Sequence, residues 1–368
     1  MLYNWELPDW PYFRYRLDTI EPVLYTFATE AGVIDGMLQA LPAYVQQEAL
    51  LEIILLEAIK TSEIEGEFLS RQDLMSSIRN NLGLNEKQEA ILDRKAMGVG
   101  QLMVDVRKTY KEPLSCEKLW SWHEILMSSY STINKGVWRK GKEPMQVISG
   151  AMGRIKIHFQ APPSDEVNAE MEKFVTWFNE TGPNGKGEIY SAPVRAAIAH
   201  LYFESIHPFE DGNGRLGRAI AEKALSQTLT KPIMMSLSKT IEADRKAYYK
   251  ALGDAQQHNE ITDWLTYFVN IVLKAQQEAR QTIDFTLKKT MFFDRYMKIL
   301  NERQLKVINR IFEAGLDGFQ GGMTAKKYMS IVKTSKATAT RDLQTLAEMG
   351  ILTSFGAGRN VHYELQLK

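Results

Sequence analysis

Cysteine is nearly absent. The 368-residue chain has one, Cys116, which rules out an internal disulfide framework and fits a reducing compartment, so a cytoplasmic protein is expected. Cys116 itself reads as a small buried hydrophobe. Net charge is missing too: 45 Lys and Arg offset 45 Asp and Glu. The chain as a whole therefore neither attracts nor repels a polyanion, and any basic surface must be local. No apolar run reaches the roughly 18 residues of a membrane span. The opening "MLYNWELPDWPYFRYRL" places Glu6, Asp9 and Pro11 where a signal peptide needs an unbroken apolar core. Repeats and low-complexity tracts are also lacking. These absences exclude membrane and disulfide-scaffold classes and leave a chain long enough for two or three packed domains.

What is present is mostly helical patterning. In 43–65, Leu50, Ile54 and Ala58 share a face with Leu51, Leu55 and Ile59 beside them, and Gly66 reads as a stop. Similar periods predict helices over 86–110, 116–131, 166–180, 191–206, 215–229, 244–256 and 260–288. The exception is 145–159, where Ile155, Ile157 and Phe159 alternate with Lys156 and His158 after Gly150 and Gly153. A period of two predicts a short β-hairpin. Pro162 and Pro163 close it, and Ser164 or Asp165 is expected to cap the next helix. Past residue 288 come a fresh helix with Asn301 or Glu302 near its start, two shorter helices and an alternating tail with Gly356 and Gly358 in its turn. That order is the order of a winged helix-turn-helix over 290–368.

The chemistry is concentrated in 207–218, "HPFEDGNGRLGR". A helix runs into His207, where Pro208 forbids continuation and is expected to hold His207 extended, at a fixed corner suited to a general base. Phe209 should turn inward as an anchor. Gly212 and Gly214 allow close approach of a ligand to the backbone. A helix from Arg215 would offer free N–H groups at its positive end, with Arg215 and Arg218 on one face able to bridge neighbouring phosphates. Asp211 is a natural hard-oxygen ligand for Mg²⁺. Together these residues read as a di- or triphosphate cradle with a base at its mouth.

The same stretch matches the Fic-family signature His-Pro-Phe-x-Asp/Glu-Gly-Asn-Gly-Arg-x-x-Arg at every fixed position, and "INKGVWRKG" and "FQAPP" resemble the family's lead-in to its flap. The resemblance spans about residues 36–285. It implies a mostly α fold, a Fic-type helical bundle with a small β-hairpin flap, and transfer of AMP from ATP to a protein hydroxyl. Carried over residue by residue, it implies His207 as the base and Asp211 holding Mg²⁺ on the α- and β-phosphates. It further implies Asn213 at the α-phosphate, the Gly212–Gly214 backbone as anion hole, and Arg215 and Arg218 on the β- and γ-phosphates; Leu216 and Gly217 complete the nucleotide-binding stretch. "KAYYKALGDAQQ" resembles the adenine-lining segment, which makes Tyr249 and Gln256 candidates. The extension at 1–35 resembles one found ahead of some Fic domains and carries no chemistry in this reading.

Glu65 falls in the last turn of the 43–65 helix, where a carboxylate opposes the dipole at a cost of about 0.3–1 kcal/mol. Thr61-x-x-x-Glu65-Gly66 resembles the family's inhibitory motif, within a helix of about 43–66. By that analogy Glu65 pairs with Arg218 and leaves ATP an unproductive pose. Related enzymes also remove AMP with this glutamate. The 145–159 hairpin could register an extended target segment by edge pairing, or could be structural only. His200 reads as a packing or hydrogen-bonding residue, and His123, His158, His258 and His362 form no ligand pattern. Residues 322–368 hold seven Lys and Arg against three Asp and Glu, an excess of four positive charges, which allows DNA contact through Lys336, Thr340 and Arg341 while Ala339, Leu343 and Leu346 face inward. A homodimer, a DNA-binding regulator with a nucleotide-sensing core, and transfer of UMP are the alternatives kept open.

Overall fold

A computed structural model describes residues 2–149, 156–315 and 318–367. They form two compact units, Met1–Ala40 with Leu50–Ala279 and Leu41–Ala49 with Arg280–Lys368. Among the described residues no helix is long and apolar enough to cross a membrane.

The first unit begins with a short 3-10 turn, Asn4–Glu6, and the helices α1 (Glu21–Ala40), α2 (Ala43–Ile64, shared with the second unit), α3 (Arg71–Leu82), α4 (Arg94–Lys108) and α5 (Cys116–Leu126). The hairpin β1 (Gln146–Ser149) and β2 (Lys156–Gln160) follows, then α6 (Val167–Glu180), α7 (Ala192–Ile206), α8 (Asn213–Thr228), α9 (Leu237–Ala243), α10 (Arg245–Ala255) and the start of α11 (Thr262–Tyr296). Every residue of α7 is buried. Its Ala, Val, Ile, Leu and Phe residues are spread over all faces, which suits a central helix packed on every side. Two of its polar members find partners inside: Arg195 donates to the Phe178 and Ala224 carbonyls, and His200 Nε2 lies 2.8 Å from the Tyr248 hydroxyl. His200 is thus the packing and hydrogen-bonding residue expected.

Several boundaries differ from the sequence expectation. α4 starts at Arg94 because the Asp93 carboxylate accepts the Lys95 and Ala96 N–H groups, while the Glu89 backbone is tied to Asn80 instead of continuing a helix from 86. α5 stops at Leu126, short of 131. α8 begins at Asn213 with Gly212 as N-cap, two residues before Arg215. Neither Ser164 nor Asp165 caps α6; Glu166 holds the N-cap position without a side-chain bond, and Ser164 Oγ accepts from Arg139. α1, α3 and α9 carried no expectation. The boundary drawn at 285–290 falls inside α11, a single helix to Tyr296 with neither glycine nor proline to stop it, and Leu41–Ala49 groups with the second unit.

In the hairpin, Gln146 pairs with Gln160, Val147 with Phe159, Ile148 with Ile157 and Ser149 with Lys156, with an irregularity after Val147. Phe159 is buried and Ile157 is 46% exposed. Gly150, Gly153 and Ile155 lie outside the described residues. The N-terminal turn supports the hairpin base: Trp5 Nε1 donates to the Gln160 carbonyl and the Tyr3 ring meets Phe159 edge-on at 5.1 Å.

The second unit contains the end of α11, then α12 (Glu302–Phe312), α13 (Ala325–Val332), α14 (Lys336–Glu348) and the antiparallel hairpin β3 (Leu352–Phe355) and β4 (His362–Leu365). Asn301 caps α12 in a capping box with Gln304. Phe292, Val307, Ile308, Tyr328, Ala339, Leu343, Leu346 and Leu352 make its core. Lys336 and Arg341 are exposed on α14. A buried carboxylate sits beside this core: Asp342 accepts from Arg303 Nε at 2.9 Å and from the Tyr328 hydroxyl at 2.8 Å.

Candidate active site

The 207–218 stretch joins α7 to α8, and its conformation is fixed by bonds the motif itself makes. His207 is the C-cap of α7 in the left-handed region (φ 50, ψ 59), not extended as expected. The clash with Pro208 disfavours right-handed helix, and the left-handed alternative lets the His207 N–H still bond the Phe203 carbonyl while the chain turns. Phe209 is fully buried and stacks on His123, ring centres 4.0 Å apart. His123 accepts the Gly136 N–H at Nδ1, so Nε2 carries the proton and donates to the Asp211 carbonyl at 3.2 Å. Burial lowers its pKa to about 4, which keeps that tautomer neutral.

Asn213 closes the turn with its side chain. Its side chain accepts the Phe209 N–H and donates to the Phe209 carbonyl, so both ends of the amide are committed to closing the turn. The Asn213 backbone N–H lies at the start of α8. The first intrahelical bond runs from the Leu216 N–H to the Gly212 carbonyl, which leaves the amides of 213, 214 and 215 at the positive end of α8.

Arg139 ties the lead-in segments to the loop. Its guanidinium donates to the His207 and Pro162 carbonyls and to Ser164 Oγ, and its backbone N–H donates to the Pro208 carbonyl. The His207 side chain is 15% exposed, with Nδ1 3.8 Å from Glu204 Oε2. Burial first, then the neighbouring Arg139 charge, brings the His207 pKa down to about 4. Burial pushes the Glu204 carboxyl up to about 8, so this neighbour is a protonated acid near neutral pH. His207 is accordingly a neutral imidazole that can accept a proton.

Both motif arginines are held by residues at the end of α2 or in the turn just after it. Arg218, 2% exposed, donates from Nε to Thr61 Oγ1 at 2.8 Å, and from NH2 to the Thr61 carbonyl at 2.9 Å and Glu65 Oε1 at 2.8 Å. Burial works against its charge, and Glu65 outweighs that and raises its pKa. Glu65 lies one residue beyond α2, in a turn, not within its last helical turn. A side chain on Gly214 would place Cβ 2.4 Å from Glu65 Oε1, so glycine there is what lets the carboxylate reach the amide end of α8. The same carboxylate that opposed the α2 dipole in the sequence reading is placed where another helix favours it. Gly66 follows at φ 79, and Leu216 and Gly217 are buried within α8.

Asp211 is 54% exposed, with Oδ1 accepting the Gly212 N–H. Among the described residues no three His, Cys, Asp or Glu converge as a metal cage. A single half-exposed carboxylate fits Mg²⁺, which keeps waters and substrate phosphate oxygens as its other ligands. Tyr249 is 45% exposed on α10; burial of its hydroxyl, then the Glu65 charge, raise its pKa to about 12. Gln256 is buried, and its amide donates to the Glu204 carbonyl at 3.2 Å. The structure thus brings Thr61, Glu65, His207 and the 211–218 turn together, and commits the Gln256 amide to the α7 backbone. Sequence reading gave no role to Glu67, Lys95, His123, Tyr130, Arg139 or Glu204; only Arg139 stands in a stretch it singled out, the "INKGVWRKG" lead-in.

Comparison with known proteins agrees with this geometry. Residues 113–225 match the family model described as Fic/DOC family. Residues 113–225 are thus similar to a Fic/DOC-family domain. Residues 3–84 match a second model, described as a domain of unknown function (DUF4172). Among curated proteins, the chain is 28% identical over 132 residues to "Protein adenylyltransferase Fic" of Nematostella vectensis, covering 36% of this chain and 27% of that protein. It is 29% identical over 177 residues to a probable protein adenylyltransferase of Aquifex aeolicus, covering 45% of this chain and 50% of that protein. A Fido domain-containing protein of Dictyostelium discoideum is 36% identical over 95 residues, covering 26% of this chain and 60% of that protein. The chain therefore spans between about a quarter and three fifths of the length of these relatives. Two solved structures share the fold. A Fic family protein from Desulfovibrio desulfuricans G20 has TM-score 0.53 and 20% identity, covering 95% of this chain and 97% of that one. Fic-1 from C. elegans has TM-score 0.53 and 19% identity, covering 74% and 75%.

Proposed function

We propose that this Fic protein is a protein adenylyltransferase that moves AMP from ATP to a Ser, Thr or Tyr hydroxyl of a target protein. The observation that supports it most is the meeting of a neutral, partly exposed His207 with the amide end of α8 and two buried arginines. In this reading the target hydroxyl oxygen attacks the α-phosphorus as its proton passes to His207. The α–β phosphoanhydride bond breaks and pyrophosphate leaves toward Arg215 and Arg218. The amides of 213–215 face the charge that develops on the phosphoryl oxygens. Mg²⁺, held on the protein side by Asp211, supplies charge neutralisation on the phosphates when bound.

Arg218 is held at Nε and NH2 by Thr61 and Glu65, which supports a resting, autoinhibited state in which the γ-phosphate lacks its cation. Removal of AMP with the help of Glu65 is the converse activity of the same site. The exposed Ile157 and the edge of the β1–β2 hairpin suit an extended target segment that adds by backbone pairing. The single cysteine supports a reducing, cytoplasmic setting. To test the reading, Glu65→Gly protein is incubated with labelled ATP and lysate and examined by mass spectrometry. Covalent AMP on protein hydroxyls well above the wild-type level is expected; equal labelling of the two removes Glu65 from the account, and labelling by UTP in preference to ATP would make it a uridylyltransferase.

Exposed Lys336 and Arg341 on α14, in a segment with local positive excess, support duplex DNA as a partner of residues 322–368 through a winged helix. The expected result is a mobility shift that weakens steeply with added salt; none at low salt would dismiss it.

A further inference from the structure

The Glu65–Gly66–Glu67 turn carries two carboxylates, and the inhibitory motif accounts for only the first. Three donors from three separate elements converge on the second. Lys95 Nζ of α4 and Arg215 NH1 of α8 each lie 2.8 Å from a Glu67 oxygen, and the Tyr130 hydroxyl, just beyond α5, bonds the same carboxylate as Lys95. Burial alone would push the Glu67 carboxyl up, but Lys95, Tyr130 and Arg215 outweigh it and hold it below the ordinary value. The Lys95 ammonium also stands 4.6 Å from the Tyr130 ring centre, which keeps it aimed at the cluster.

The donors exceed what one carboxylate uses. Arg215 is 2% exposed, and its Nε is a buried donor with no hydrogen-bond partner. Its nearest other acid is Asp211, 3.7 Å away and more than half exposed. Two cations, a phenol and a spare buried N–H around a single carboxylate form a set better filled by a phosphate with three peripheral oxygens. The position agrees: Arg215 and Arg218 sit one helical turn apart, and Glu67 and Glu65 sit on them either side of Gly66.

We propose that Lys95, Tyr130 and Arg215 form an anion seat for the terminal phosphates that leave as pyrophosphate, and that Glu67 fills it as a second plug. The arrival of pyrophosphate there rests on the nucleotidyl-transfer reading; its binding to the seat does not. Glu65→Gly alone then leaves one of the two arginines masked.

The test is calorimetry of the full chain with inorganic pyrophosphate. Glu67→Gln is expected to bind about tenfold tighter than wild type, and adding Lys95→Met to it should cancel the gain. Lys95→Met in the Glu65→Gly background, a change at a half-exposed lysine that leaves the α2 turn otherwise intact, should weaken binding at least about threefold. Unchanged affinity in Glu67→Gln, or a gain that survives Lys95→Met, overturns the seat. Weaker binding in Glu67→Gln also overturns it, since Glu67 would then be a brace that orients Arg215. Cooperative melting of each variant near the wild-type temperature certifies the comparison, and the Lys95→Met arm decides should Glu67→Gln fail to fold. Pyrophosphate affinity that behaves as expected while no variant transfers AMP would sink the enzyme reading and keep the seat; transfer with unchanged pyrophosphate affinity would do the reverse.

Discussion

The 207–218 loop and the tail unit solve opposite problems. The loop gathers polar groups out of water and gives most of them partners from distant parts of the chain: Thr61 and Glu65 for Arg218, Glu67 for Arg215 and His123 for the Asp211 carbonyl, while Asn213 is closed locally on Phe209. The tail buries Val307, Ile308, Leu343 and Leu346 on helix faces of regular period, with one polar knot at Asp342. Apolar burial is non-directional and tolerates displacement, whereas a buried guanidinium is tolerable only in the geometry that satisfies it. The loop should therefore report on activity and the tail on stability.

That contrast can be broken at either end. The largest effect is expected from His207→Ala, which removes the proton acceptor while the phosphate contacts stay. Transfer should fall by about 10²–10⁴ with melting temperature and Mg·ATP affinity little changed. Measured in the Glu65→Gly background, retained turnover would take the base role away from His207. The mirror experiment is Asp342→Ala, which deprives the Tyr328 hydroxyl and Arg303 of their acceptor. About 1–3 kcal/mol of stability should be lost, seen as a lower melting temperature with transfer unchanged; lost activity at full stability would break the division between the two regions.

A finer test uses pH. An ordinary imidazole loses about three quarters of its basic form between pH 7.5 and 6. With the His207 pKa lowered to about 4, protonation of the folded site begins well below that window, so the rate at saturating Mg·ATP should be flat across it. A fall centred near pH 6.5 would place His207 in water-like surroundings.

How much of this could be read beforehand divides along the same line. The tail's helix–helix–helix–hairpin order and its inward Ala339, Leu343 and Leu346 were legible because a 3.6-residue period is local information. In the 207–218 stretch, the motif was legible because its polar groups are contiguous. Its locking partners were not: Glu67 meets Arg215 across 148 positions, and nothing local distinguishes it from other acids after a helix. His123 looked idle for the same reason, since its role depends on stacking against a residue 86 positions later. His207 and Asn213 show a subtler limit. Their identities pointed to the site, but backbone demands at the turn set the conformation of one and took both ends of the other's amide.

The central claim is that the amide end of α8, with Arg215 and Arg218, is a polyphosphate seat covered by carboxylates from the α2 turn. Titration of Mg·ATP into Glu65→Gly protein tests it most directly. Saturable heat is expected, with tighter binding than wild type, because Arg218 is released to the γ-phosphate. No heat of binding in a variant that melts cooperatively would contradict it.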